Sequence, residues 1–251
     1  GVTEQAAYIN AVSDRLMVSL FKEKVVYQVY NKDNALKCKF VLDHKSSYPV
    51  SLQNAIFSSS TLVSSGMPFS LGPLNDSEIK LHYSLNYGLS DNLEIQESEL
   101  FAIAYNSPYA FTAISQQVVG LQLTSDIHLG YTYTAQKSHK NAVYFYCQAN
   151  EITVFAWKEG QFMLANRYPS ENADETFYYV MLVIEQLELN PNELYFECIS
   201  TKGMHETYIT FFKNYVSPLH LANVSFPSGQ TTLDENKEEE LLAYFFAQCA
   251  L

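Results

Sequence analysis

Glycine is scarce in this chain: nine residues in 251, about half the usual ~7%. Neither GxGxxG nor GxxxxGK[ST] occurs, so the known loops that lay backbone N–H groups on a phosphate are missing. Positive charge is scarce too. Fifteen Lys and Arg stand against twenty-seven Asp and Glu, giving a net charge of −12 and a pI near 4.9. Such a field repels nucleic acid and anionic membrane, and argues against both as partners. No apolar run approaches the ~18–20 residues that cross a bilayer. The longest, YYVMLVI at 178–184, sits inside an amphipathic segment. The N-terminal GVTEQAAYIN lacks the basic-then-apolar order of a signal peptide, and Gly1 without a preceding Met reads as a cleavage scar. Cysteines number four, Cys38, Cys147, Cys198 and Cys249, with no CxxC pair. They are expected as buried free thiols in a reducing cytoplasm. The six histidines are scattered without metal-ligand spacing, HET at 205–207 is not HExxH, and no serine sits in GxSxG. No catalytic residue, metal ligand or cofactor is assigned.

What is present is a globular composition, 47% hydrophobic and 17% charged. The second half reads most clearly. NAVYFYCQ (141–148), EITVFAWK (151–158) and QFMLANRYP (161–169) are aromatic and β-branched runs with tight connections, an antiparallel meander. Asn172 and Glu175 form a capping box for a helix carrying Phe177, Val180, Met181, Ile184 and Leu187 at helical spacing. NPN at 190–192 turns the chain out of it. LYFECIS (194–200) is a continuous apolar strand suited to the middle of a parallel sheet. A helix over about 203–215, an edge strand at 217–222 and a last helix capped by Thr232 and Glu235 complete the order βββαβαβα. That order describes a ribonuclease H-like sheet, the architecture of actin-like ATPases and of several nucleases.

The first half opens the same way, with RLMVSLFK (15–22), KVVYQVYN (24–31) and ALKCKFVLD (35–43). Residues 46–75 read either as helix then loop or as a strand entering a Pro-containing turn. A short helix is expected at 76–88, a strand at 100–106 paired with the first meander, a helix at 107–120 and a strand at LQLTS. A connecting helix over 126–137 follows. The fold class is therefore α/β: two ribonuclease H-like half-domains, each with a mixed sheet that begins in a three-stranded antiparallel meander. The lobes are placed at 13–137, connecting helix included, and 138–251. Charge is uneven: residues 1–45 carry seven basic and five acidic side chains, while the remainder holds the whole acidic excess. Tyr87, Tyr105, Tyr109, Tyr131 and Tyr133 are expected in core or loop packing ahead of a cleft or protein interface.

The hairpins, EGQFMLANRY, the aromatic helix ADETFYYVMLVIEQL and the strand ELYFECIS resemble an uncharacterised bacterial family, a domain of unknown function (number 3822) placed in the actin-like ATPase superfamily. That family has no described activity, so the resemblance implies fold alone. More distantly, the order is similar to cell-division and pilus-assembly actin homologues.

Actin-like ATPases grip phosphate with the turn between strands one and two of each half, using Asp-x-Gly. Glycine lets N–H groups close on the phosphate, and the Asp holds the metal. Here the second-half turn is Gln148-Ala149-Asn150-Glu151 and the first is around Lys22-Glu23-Lys24. Neither has glycine. Lys22 and Lys24 are read as solvated, and Gly203 in Thr201-Lys202-Gly203 as a helix start. A two-metal nuclease needs carboxylates on strands one and four and on a later helix. Strand one of the second half has none, Glu197 on strand four stands alone, and Asp14 and Asp43 have no evident partner. The sequence therefore favours a non-catalytic protein with an actin-like ATPase fold that binds an unidentified protein partner or acts as a scaffold. The alternative is a diverged ATP-binding protein or ATPase holding nucleotide between its lobes.

Overall fold

The computed structural model describes residues 9–43, 46–107, 109–148, 150–200, 207–208, 210–216, 218–222, 242–245, 247 and 249. Among these, two compact units meet in sequence between His128 and Leu129. The expected capping box at Thr232 and Glu235, the Thr201-Lys202-Gly203 segment, and His44 and His205 lie outside the described residues.

The first unit opens with the meander β1 (Arg15–Leu20), β2 (Lys24–Tyr30) and β3 (Leu36–Asp43). Then come β4 (Ser59–Ser64), β5 (Phe69–Gly72), α1 (Asp76–Tyr87), β6 (Leu93–Glu97) and β7 (Ala102–Asn106). The short α2 (Tyr109–Ser115) leads to β8 (Leu121–Ser125) and α3 (Asp126–Gln136), which begins in this unit. The main sheet has the order β3-β2-β1-β4-β8, with β1, β4 and β8 parallel. Residues two apart share a face of a strand. Leu16, Val18 and Leu20 of β1 thus join Val25, Tyr27 and Val29 of β2 and Leu62 of β4 in one core, packed with Ile114 and Val118.

Two expectations change here. In residues 46–75 the strand alternative holds: SSTLVS is β4, a central strand with Leu62 and Val63 fully buried. The strand near 100–106 does not pair with the first meander. β7 lies between β5 and β6 in a separate antiparallel sheet, covered by Ile79 and Tyr83 of α1. The place beside β1 is taken by β4, which offers Leu62 and Val63 to its two faces. Gln96 on β6 exchanges hydrogen bonds with Thr124 on β8, linking the small sheet to the large one.

The second unit repeats the plan. β9 (Ala142–Cys147), β10 (Glu151–Lys158) and β11 (Gln161–Pro169) form the meander, followed by α4 (Ala173–Gln186), β12 (Tyr195–Ile199) and β13 (Leu219–Leu221). The sheet order is β11-β10-β9-β12-β13, with β9, β12 and β13 parallel. Position for position this is the order of the first main sheet, as the repeated meanders predict. The Asn172 side chain accepts the Glu175 N–H at 2.9 Å and caps α4. Val180, Val183 and Ile184 of α4 are buried against β9, β10 and β12. Of Phe177, Met181 and Ile184, which the spacing places against the sheet, Ile184 is buried, while Phe177 and Met181 are partly buried at the margin of that core. The buried side of the helix runs through Thr176, Val180, Val183 and Ile184, with Met181 beside it.

The opposite face of this sheet is covered by the later turns of α3 and by helical residues 242–245. Tyr133, Tyr146, Tyr244 and Phe245 pack ring to ring there. Gly130 is required at its position in α3. A Cβ there would stand 2.2 Å from the Phe155 ring.

Candidate functional site

In open α/β sheets, ligands bind outside the carboxyl ends of the parallel strands. In the first unit those ends bring together the β1–β2 turn, the Ser65-Gly66 pair after β4 and the start of α3 after β8. The Phe21 N–H donates to Lys24 O at 3.0 Å, so Lys22 and Glu23 form a two-residue hairpin. The Lys24 ammonium lies 5.0 Å from the centre of the Phe21 ring, a cation–π contact. Beside this hairpin, the Ser65 N–H donates to Leu20 O.

Asp126 is the missed residue of this edge. It is 4% exposed. Its Oδ2 accepts from the Ser65 hydroxyl (3.3 Å) and from the Gly66 N–H (3.2 Å). Gly66 has φ 72°, a conformation open to glycine. Ser125 caps α3 by accepting the His128 N–H, and Asp126 in the first turn suits the positive end of the helix dipole. Donors that suit an anion are therefore bonded to a carboxylate of the chain itself. The sequence signal was an Asp directly after a strand and opening a helix, which also marks an ordinary helix start.

The second unit has the same hairpin. The Gln148 N–H donates to Glu151 O at 2.9 Å. Glu151, the one carboxylate of that turn, is ion-paired with Arg167 Nε of β11 at 3.2 Å. Among the described residues of both turns, none has the left-handed backbone of a phosphate nest.

Glu197 has phenols, not carboxylates, as its hydrogen-bond partners. On β12, 2% exposed, it accepts from the Tyr133 hydroxyl at Oε1 and from the Tyr195 hydroxyl at Oε2 (2.7 Å). Burial, then the bond to Glu197, holds both phenols protonated well above the ordinary tyrosine range. The Tyr195 ring stacks between His139 and His220, with centroids 3.6 and 4.4 Å away. Burial pushes the His139 pKa down. Both carboxylate oxygens are thus taken by phenols. Among the described residues, no group of three or more His, Cys, Asp or Glu is placed to hold a metal ion.

The other residues singled out in the sequence fall into packing. Asp14 is buried and paired with Lys37 Nζ at 2.6 Å. Asp43 ends β3 and accepts from the Ser46 hydroxyl. All four cysteines are free and buried. Burial raises the Cys38 thiol and raises Cys147 well above its ordinary value, and it lifts Cys249 to about 12, so these thiols are poor nucleophiles. Tyr105 and Tyr133 are core residues, Tyr131 stacks on Trp157, and Tyr87 is exposed.

Residues 122–218 match the sequence model of a family described as protein of unknown function, DUF3822. The resemblance seen in the second half is to this family. No curated protein matches the chain. Among solved structures, the chain is similar to a Bacteroides thetaiotaomicron protein with an actin-like ATPase fold and unknown function. Identity is 16% and the TM-score 0.70, over 94% of this chain and 96% of that one. The fold is therefore that of the actin-like ATPases, two ribonuclease H-like halves. Weaker likenesses reach a type IV pilus PilM–PilN complex (10% identity, TM-score 0.47, 96% of this chain and 97% of that one). They also reach the AlfA filament of a Bacillus subtilis plasmid (8%, 0.40, 94% and 98%). At those scores they add nothing to the fold assignment. Among the described residues, no helix is long and apolar enough to cross a membrane.

Proposed function

We propose that this chain is a non-catalytic, bacterial, cytoplasmic protein with an actin-like ATPase fold that works by binding another protein. Its working lobes are 13–137, with the connecting helix, and 138–251. It takes neither nucleotide nor nucleic acid. One observation carries the reading. Both turns at the phosphate positions are two-residue hairpins closed by their own backbone bond, Phe21 to Lys24 and Gln148 to Glu151. None of the described residues within these turns, Lys22, Glu23 and Asn150, has the left-handed backbone that aims successive N–H groups at a phosphate. The Arg167 pairing of Glu151 and the filling of the Ser65-Gly66 donors by Asp126 support it.

Thermal unfolding with Mg–ATP tests this. A ligand at a hundred times its dissociation constant adds about 2.7 kcal/mol, and each kcal/mol moves Tm by roughly 2–4 °C for a chain of this size. Binding would raise Tm by roughly 5–11 °C. The expected shift is below about 1 °C. A shift in the larger range, abolished by Lys22→Ala with Lys24→Ala, would establish the diverged ATP-binding protein instead.

A further inference from the structure

Helix α1 is amphipathic in an unusual sense. It buries Ile79 and Tyr83 against the small sheet. At 100° per residue, Leu81 and Leu85 lie on the opposite side. There they are 56% and 75% exposed, and Leu74 and Leu89, just outside the helix ends, are 49% and 96% exposed. Single exposed leucines need no explanation, but a stripe on and around one helix does. Glu78 shares the stripe, at i, i+3 and i+7 with Leu81 and Leu85. Residues 66–107, which hold α1 and the small sheet, carry six carboxylates against the single Lys80, a local charge of −5. Glu78, at the start of the stripe, is exposed, whereas Asp76 stands at i, i+3 and i+7 with Ile79 and Tyr83, in line with the other face.

We infer that the outer face of α1 is a docking surface for a basic amphipathic helix of a partner protein. This rests on the protein-binding reading above and names the chemistry of the partner. The leucines supply an apolar strip of the kind that takes i, i+3, i+4 and i+7 anchors. Glu78 beside them, in a region of charge −5, selects lysine and arginine at its rim, and that field speeds encounter. A second copy docking by the same face sets like charges against each other, because an isologous contact is self-facing. An anionic membrane is repelled on the same ground.

The probe is a labelled 18-residue Leu/Lys peptide with a helical repeat, with a same-pattern Leu/Glu peptide as the comparison, read by fluorescence anisotropy on the full chain. The Leu/Lys helix is expected to bind, and the Leu/Glu helix at least tenfold more weakly. Leu81→Gln with Leu85→Gln, both exposed and with a helix propensity close to that of leucine, should leave Tm within about 1 °C and weaken Leu/Lys binding at least tenfold. Glu78→Lys should weaken it further. Unchanged affinity in the leucine double variant overturns the proposal, since the attraction is then general charge. So does a dimer in sedimentation that the same variant dissolves, or binding to phosphatidylglycerol vesicles that it abolishes. None of these results touches the nucleotide test, so failure here and failure of the non-catalytic reading are told apart.

Discussion

Glu197 is a carboxylate in a place where charge is costly, and it is kept there by two phenols rather than by a cation. An unpartnered buried ion costs several kcal/mol. Tyr133 and Tyr195 donate to its two oxygens, and Tyr133 also lies 3.4 Å from the Tyr244 hydroxyl. The carboxylate therefore ties β12 to α3 and to the helical residues at 242–245. Glu197→Leu should strand the buried Tyr133 hydroxyl, at about 1–3 kcal/mol, and the half-buried Tyr195 hydroxyl at a smaller cost. Glu197→Gln keeps an acceptor for one phenol and a donor for the other, and should cost about 1 kcal/mol. Urea unfolding of both variants checks the order. A leucine variant as stable as the parent would mean that the phenols find other acceptors. The sequence shows Glu197 and Tyr133 but not their contact, which spans sixty-four positions. Asp126 is hidden in the same way, being recognisable only once Ser65 and Gly66 stand beside it.

Elements whose partners are near in sequence were the legible ones. Both meanders, α1, α3, α4 and β12 follow from period, caps and turns. β4 is different. Four of its six residues are Ser or Thr, types that also favour turns, and its identity as a central strand comes from pairing with β1 and β8 on its two sides. β7 fails for the related reason that a strand's own pattern does not name its partner. The phase of α4 is a finer case. Leu182 and Val183 widen its apolar arc, so spacing alone leaves its deepest side undecided. With Ile184 2% exposed and Met181 at the margin, Ile184→Ala should cost about 2–5 kcal/mol. Met181→Ala should cost clearly less, because part of that side chain is already in water. Equal losses, or a larger one at Met181, would shift the buried side of the helix towards Met181.

On the scale of the whole molecule, the two main sheets share one strand order without visible sequence identity, so a physical property that depends on order should repeat as well. β2, β1 and β4 in the first unit, and β10, β9 and β12 in the second, are paired on both sides, whereas among the described residues β3, β8, β11 and β13 are paired on one side only. Amide exchange reports local opening, and strands bonded on both edges open only with the larger cooperative unit. Hydrogen–deuterium exchange read by peptide mass should therefore be slowest in β1, β2, β4, β9, β10 and β12, and faster in the edge strands of both units. β11 makes the sharper test. Among the described residues it is the longest strand, at nine residues, and it pairs with β10 from end to end apart from one bulge, so length alone predicts strong protection. Its outer edge is the end of the sheet, and several of its side chains are exposed. Exchange in β11 as slow as in β9 would mean that something covers that edge in solution, and would place a second interaction surface at the β11 edge of the second unit.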